Sequence, residues 1–231
     1  MEIKKTIQAK DQYVKLLVYG QAGAGKTYMV KEIAQACLLI STEGGLLSIA
    51  GTDIDHIEVE NHEELLEIFQ FLQTEEAMKR YKIIALDSIS EIAEKVLSDE
   101  KLSVKDSRQA YGEMQDKMQI LIRAYRDLPY HVYMTCKAER GVDENGSTIW
   151  LPSMPGQKLS QQIPYFFDEV LALRVGKNED GDPVRWLQTQ PDGVYTAKDR
   201  SGKLAPVEPA SLRAIFSKIL KNENIEKGEQ K

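Results

Sequence analysis

One stretch limits this chain more than any other. Gly20-Gln-Ala-Gly-Ala-Gly-Lys-Thr27 has the form G-x-x-x-x-G-K-T. Tyr13-Val-Lys-Leu-Leu-Val-Tyr19 before it is an apolar run that predicts a buried strand. Lys26 to Ala36 after it predicts a helix. Strand, glycine-rich loop and helix in that order are the context of a phosphate-binding loop. Glycines let the backbone curl until its N–H groups converge on an anion. The start of the helix adds the positive end of its dipole. On this reading Gly20, Gln21, Ala22, Gly23, Ala24, Gly25, Lys26 and Thr27 hold the phosphates of a nucleotide. Lys26 reaches the β and γ phosphates, and the Thr27 hydroxyl binds Mg²⁺. The plainer alternative is a glycine-rich turn that only joins strand to helix. Motif, flanks and a partner motif further on all speak against it.

Apolar runs and helical patterns alternate after the loop. Cys37–Ser41 and Tyr81–Asp87 read as strands, as does His131–Cys136. Helices are predicted over 61–80, where Asn61 is a plausible N-cap with Glu64 three residues on, and over 88–97 and 107–127. Near-continuous apolar strands between helices predict an α/β fold, with a mostly parallel sheet covered on both faces. The style then changes. Asn145-Gly146 and Asp180-Gly181 mark turns, and Phe167–Val175 with Val184–Gln190 predict an antiparallel hairpin extension. A closing helix is expected over 206–220. The organisation is a segment 1–12, one core over 13–221 and a polar tail 222–231.

The partner motif is Ile83-Ile-Ala-Leu-Asp87, four apolar residues and an aspartate at a strand's end. Ligands of open α/β sheets bind beyond the carboxyl ends of the strands, where Asp87 would hold Mg²⁺ beside Thr27. An aspartate there could equally cap the next helix. Ser88 follows it, where many ATPases carry a water-activating glutamate. Glu43, in Leu39-Ile-Ser-Thr-Glu-Gly-Gly45, closes the neighbouring strand and is the candidate base. A surface glutamate before a Gly-Gly turn is the competing reading. Gly-x-Ser-x-Gly is absent, and His56, His62 and His131 show no ligand spacing.

Together, Gly20–Thr27, Glu43, Asp87-Ser88 and the late Lys198-Asp-Arg200 resemble a RecA-type ATPase core. The closer likeness is to RadA and KaiC relatives and to the short Sak-type annealing ATPases of phage. The resemblance covers about residues 13 to 204 and implies ATP and Mg²⁺ as cofactors. It also implies a homo-oligomer, ring or filament, in which Lys198 and Arg200 reach a neighbouring subunit's γ-phosphate. A charged hairpin tip is the alternative for that pair. The missing guanine reader favours ATP on the same family grounds.

In RecA-type cores two loops bind single-stranded DNA. Here they would fall near Ser98 to Ala110, with Lys101, Lys105 and Arg108, and Lys137 to Gln162, with Lys137, Arg140 and Lys158 beside Trp150. Basic side chains next to an aromatic suit a single-strand track, although Glu139, Asp143 and Glu144 offset the second group. Thirty Lys and Arg against 36 Asp and Glu, a net charge of −6, exclude a histone-like binder but not a local basic channel. The expected role is recombination or replication, with a single-strand-binding protein or helicase as a further partner. The other reading is a replication accessory, like a helicase loader, that acts on a protein. Such AAA+ loaders carry Asp-Glu where Asp87-Ser88 stands, and a helical lid. A small-molecule kinase would need an Arg-rich lid that is not found. No apolar run approaches the ~18 residues of a membrane span. The polar start lacks a signal peptide's apolar core. Cys37 and Cys136 read as buried free thiols, and the expected location is the cytoplasm.

Overall fold

The computed structural model describes residues 13–143 and 145–220; the segment 1–12, Glu144, the last core residue 221 and the tail 222–231 lie outside the described residues. The core is one sheet, ten-stranded among the described residues. Its strands are β1 (Lys15–Gly20), β2 (Cys37–Ser41), β3 (Asp55–Glu58), β4 (Ile83–Asp87), β5 (His131–Val142), β6 (Thr148–Ser153), β7 (Glu169–Lys177), β8 (Pro183–Gln188), β9 (Lys198–Asp199) and β10 (Val207–Pro209). The order is β10-β8-β7-β1-β5-β4-β2-β3, with β6 paired to β5 and β9 to β7. From β7 to β3 every neighbouring pair is parallel, while β6, β8, β9 and β10 pair antiparallel. The expected mixed α/β sheet with a hairpin extension is therefore present.

The central strands are apolar on both sides because both sides are covered. Leu17, Tyr19, Ile84, Leu86 and Val132 face a core shared with helices α1 (Glu64–Phe71), α2 (Glu75–Arg80), α3 (Ile89–Ser103) and α4 (Ser107–Asp127). Leu16, Val18, Leu39, Ile83 and Tyr133 face the other core, under Tyr28–Ala36 and α6 (Leu212–Leu220). Helix α5 (Gln157–Gln162) follows the β5–β6 hairpin.

Several expected boundaries move. The helix after the phosphate loop is a run of tight 3₁₀ turns, Tyr28–Ala36, broken at Ile33 (φ −123°, ψ 15°). Val30, Ile33 and Ala36 are its buried residues with Met29. Their spacing of three matches the three-residue period of a 3₁₀ turn, in which i and i+3 eclipse. The single helix expected over 61–80 is two. The Thr74 hydroxyl donates to Phe71 O (2.8 Å) and accepts from Ala77 N (3.3 Å), so it ends one helix and caps the next. Asn61 does cap the first, accepting from Glu63 N (3.0 Å) and Glu64 N (3.1 Å). Helix α3 runs to Ser103, past the expected end at 97, because Glu100 is buried and takes a hydrogen bond from Lys117 of α4. Strand β3 was not expected: it is a short, half-exposed edge strand with no apolar run. The closing helix begins at Leu212, after the short β10.

The two expected DNA loops are largely regular structure. The first is the end of α3, a short link and the start of α4. The second is an antiparallel hairpin, β5 with β6, in register from Lys137↔Ser153 to Val142↔Thr148, and then α5. The apolar signal of β5 stops at Cys136, but pairing with β6 carries the strand six residues further.

Candidate active site

The phosphate loop sits at the carboxyl end of β1, between β5 and β7. Gly20 must be glycine for space: a Cβ there would lie 2.9 Å from Leu173 O on β7. Gly25 must be glycine for conformation, at φ +105°. Gln21, Ala22 and Gly23 stand open to solvent, while Ala24 is buried under the loop. From below, the buried Tyr133 of β5 donates its hydroxyl to Lys26 O at 2.9 Å. The backbone is thus pinned where a nucleotide would press on it.

Lys26 is half-buried and, among the described residues, its ammonium meets only carbonyls, Gly20 O at 2.9 Å and Gln21 O at 3.2 Å. Burial lowers its pKa, and the nearby Asp87 and Glu43 oppose the shift. A cation in that position lacks a counter-charge in contact, and a phosphate would supply one.

Strand β4 delivers Asp87, which is buried. One carboxylate oxygen accepts from Thr27 Oγ1 at 2.5 Å, and the other accepts from Thr135 Oγ1 of β5. Asp87 and Thr27 are therefore in contact. The peptide bond from Asp87 to Ser88 is cis. Ser88 caps α3 by accepting from Glu91 N (3.4 Å), and its hydroxyl donates to Glu43. That bond brings the carboxylate of Glu43, from the end of β2, beside the Asp87 strand end. The side chain is otherwise exposed. A second link holds the same two strand ends together: Thr42 N donates to Asp87 O (2.8 Å), and Ser88 N donates to Thr42 Oγ1 (3.1 Å). Lys26, Thr27, Glu43 and Asp87 form one site. The cap of α3 is Ser88 and not Asp87.

The family model described as an AAA domain matches residues 12–201. The chain belongs to that AAA-domain family. A search of curated proteins finds no match. Among solved structures, a KaiC-like protein of the hyperthermophilic archaeon Pyrococcus horikoshii OT3 is similar, at 16% identity and a TM-score of 0.42, over 75% of this chain and 76% of that one. As a P-loop ATPase family member the chain is of a class that binds ATP and Mg²⁺. The AAA domain's loop residues fit those groups: a glycine-rich turn, a lysine whose ammonium rests on carbonyls, and a hydroxyl already on an aspartate. Among the described residues no helix is long and apolar enough to cross a membrane.

Other expected site residues lie elsewhere in this AAA domain. Lys198 and Arg200 are on or next to β9, which pairs with the start of β7 through Val170↔Lys198 and Glu169↔Asp199. Glu169 is level with Leu16, so the pair sits about 13 Å down the strands from Gly20, at ~3.3 Å per residue. Lys198 Nζ donates to Pro164 O (2.7 Å) and Arg200 pairs with Asp168 (2.7 Å). Neither approaches the phosphate loop of its own chain.

The basic residues expected at DNA divide. Lys137, level with Gly20, turns to Glu91 and Glu94, both at 2.9 Å. Burial alone would lower its pKa, but the two carboxylates raise it. Arg140 lies over the Trp150 ring at 5.0 Å. That contact begins a ladder: Trp150 stacks on Tyr195 (6.0 Å, 10° between planes), and Arg174 lies over both Tyr195 (4.4 Å) and Trp186 (5.3 Å). It ties the β5–β6 hairpin to the β7–β8 hairpin. Lys101 lies over Tyr111 at 5.4 Å. Gly156, two residues before Lys158, comes close to the same ring, since a Cβ there would meet Tyr111 at 3.6 Å. Lys105, Arg108 and Lys158 are exposed. So the two predicted DNA segments meet at Tyr111, an aromatic that sequence reasoning passed over.

Sequence reasoning also missed Thr135, Tyr133 and Arg185. The last is exposed on β8, yet its Nε donates to Ala24 O of the phosphate loop at 2.8 Å.

Proposed function

We propose that this AAA domain hydrolyses ATP, with Glu43 as the base for the attacking water, and that it works on single-stranded DNA in phage-type recombination or replication. The observation that carries the ATPase reading is the bond from Ser88 to Glu43 beside the Thr27–Asp87 contact. When bound, ATP with Mg²⁺ supplies the phosphoanhydride and the divalent charge. Lys26 then pairs with phosphate, Thr27 and Asp87 hold the metal ion, and Glu43 orients water and takes its proton.

The DNA reading rests on the family resemblance and on the patch where Lys101, Tyr111 and the start of α5 adjoin. Exposed Lys105, Arg108 and Lys158 extend it. An aromatic face between cations suits a single strand. The oligomer reading rests on Arg200, whose side chain is 61% exposed and which lies next to β9, toward the opposite end of the strands from its own phosphate loop. A residue so placed reaches a γ-phosphate only across a head-to-tail contact, as an arginine finger does.

The test is ATP turnover with and without single-stranded DNA, together with sizing in both states. Turnover stimulated by DNA, in an assembly larger than the monomer, is expected. Turnover that ignores DNA, with no DNA bound in ATP and Mg²⁺, moves the reading to an accessory ATPase that acts on a protein partner.

A further inference from the structure

We propose that Arg185, on the β7–β8 hairpin, is a second cation of the nucleotide site, supplied in cis and acting directly on the phosphates. The proposal rests on the reading of Gly20–Thr27 as a nucleotide site and adds a residue from the far end of the chain to it.

A carbonyl of the phosphate loop, Ala24 O, accepts from Arg185 Nε at 2.8 Å. The guanidinium lies against the loop itself: a Cβ at Gly25 would come within 3.3 Å of Nε. Glycine at 25 therefore serves two ends. It permits φ +105°, and it leaves the space into which Arg185 fits. The Nε bond uses one of the five guanidinium N–H groups. The four on the terminal nitrogens belong to an exposed side chain whose Nε is already on the loop. No carboxylate is in ion-pair contact with Arg185 among the described residues, whereas Arg174, one hairpin position away on the partner strand, is paired with Asp192 at 2.7 Å.

The strand geometry explains the aim. Arg185 and Trp186 alternate across the sheet. Trp186 joins Arg174 on the α3–α4 side, and Arg185 is thereby directed to the side of the loop and the 3₁₀ turns. A planar fork anchored by one N–H is pre-organised to give the others to phosphate oxygens. The competing role is a strut that steadies Ala24 and never touches ligand.

Arg185→Gln separates the two roles. Glutamine can still donate an N–H toward Ala24 O but carries no charge. ATP affinity is measured by calorimetry with Mg²⁺ present, for wild type, Arg185→Gln, Arg185→Lys and Lys26→Ala. The melting temperature of each without nucleotide is taken in parallel. The expected result is an ATP affinity at least about tenfold weaker in Arg185→Gln, the cost of one charge-assisted hydrogen bond. Arg185→Lys should recover part of it, and both should keep the wild-type melting temperature. Wild-type ATP affinity in Arg185→Gln, with affinity lost in Lys26→Ala, overturns the proposal and leaves the nucleotide site intact. Weak binding by Arg185→Gln that Arg185→Lys does not improve assigns the arginine to the strut role and also overturns it. Failure of the wild type to bind ATP overturns the site and the proposal together.

Discussion

The two ends of the central strands handle charge in opposite ways. At the carboxyl end, Lys26 rests on carbonyls and Arg185 on one more, with no carboxylate in contact with either among the described residues. At the amino end, Arg200 is paired with Asp168, Lys198 is held by Pro164 O, and Asp199 accepts from Ser201, Gly202 and Leu204. One end leaves cations short of counter-charge, which is how an anion site is built. The other closes its charges on itself and fastens β9 to β7. A lysine in a sequence does not reveal which treatment it receives. Lys137 is level with Gly20, whose carbonyl takes the Lys26 ammonium, yet of the two lysines it is Lys137 that is met by glutamates.

The largest effect should come from removing the uncompensated charge. Lys26→Ala should abolish ATP binding and turnover; wild-type turnover would show that the two ends do not differ in the way described. Next is Glu43→Gln, which should keep ATP bound but lose ~10²–10⁴-fold in turnover, the usual cost of a general base. Single-turnover assays on the ATP-loaded protein measure this directly, and normal hydrolysis would place the base elsewhere.

A sharper contrast comes from mixing. Arg200→Ala and Lys26→Ala should each be inactive alone. Co-assembled, they pair some intact phosphate loops with an intact Arg200, so activity should partly return. If proven co-assemblies stay silent at every ratio, Arg200 only fastens β9. At the DNA patch, reversing Lys101 or Lys158 to Glu should weaken single-strand binding several-fold and flatten its salt dependence; unchanged binding would clear the patch of that role.

The smallest expected effect belongs to the closed end. Glu169 is buried with one oxygen unpartnered, and burial, then Asp199, push its pKa up to about 8. The unfolded chain loses that proton near the ordinary glutamate value of 4.5. Between the two values the folded state holds a proton the unfolded state has lost. Stability from this group should therefore fall as pH rises from 4.5 to 8 and level off above. Glu169→Gln should flatten the melting temperature across that window. A slope equal to wild type would mean that Glu169 is ionised throughout.

What the sequence made legible follows from how far apart the partners lie. The loop Gly20–Thr27 is contiguous, Asp87 ends its own apolar strand, and Glu43 follows a strand that the loop's helix signal implies. Each could be placed by local pattern. Arg185, Thr135 and Tyr133 could not. Each sits in a strand where its residue type looks ordinary, and its task appears only when β5 and β8 are laid beside β1 and β4. The 3₁₀ turns of Tyr28–Ala36 were hidden because positions three apart fit either helix over so short a span. Thr74 was readable in principle, as a capping residue ahead of Glu75 and Glu76, but the apolar period on either side concealed it. Tyr111 became visible only when α4 and α5 met.

The ladder between the hairpins has a practical consequence. The chain has two tryptophans, and both Trp150 and Trp186 stand in that ladder, joined through Tyr195 and Arg174. All of the protein's indole emission thus originates in the one strut linking the β5–β6 hairpin to the strand that carries Arg185. Any relative movement of the two hairpins would change ring contacts that govern intensity and wavelength, so an unlabelled sample in a simple fluorimeter already contains a gauge of that joint.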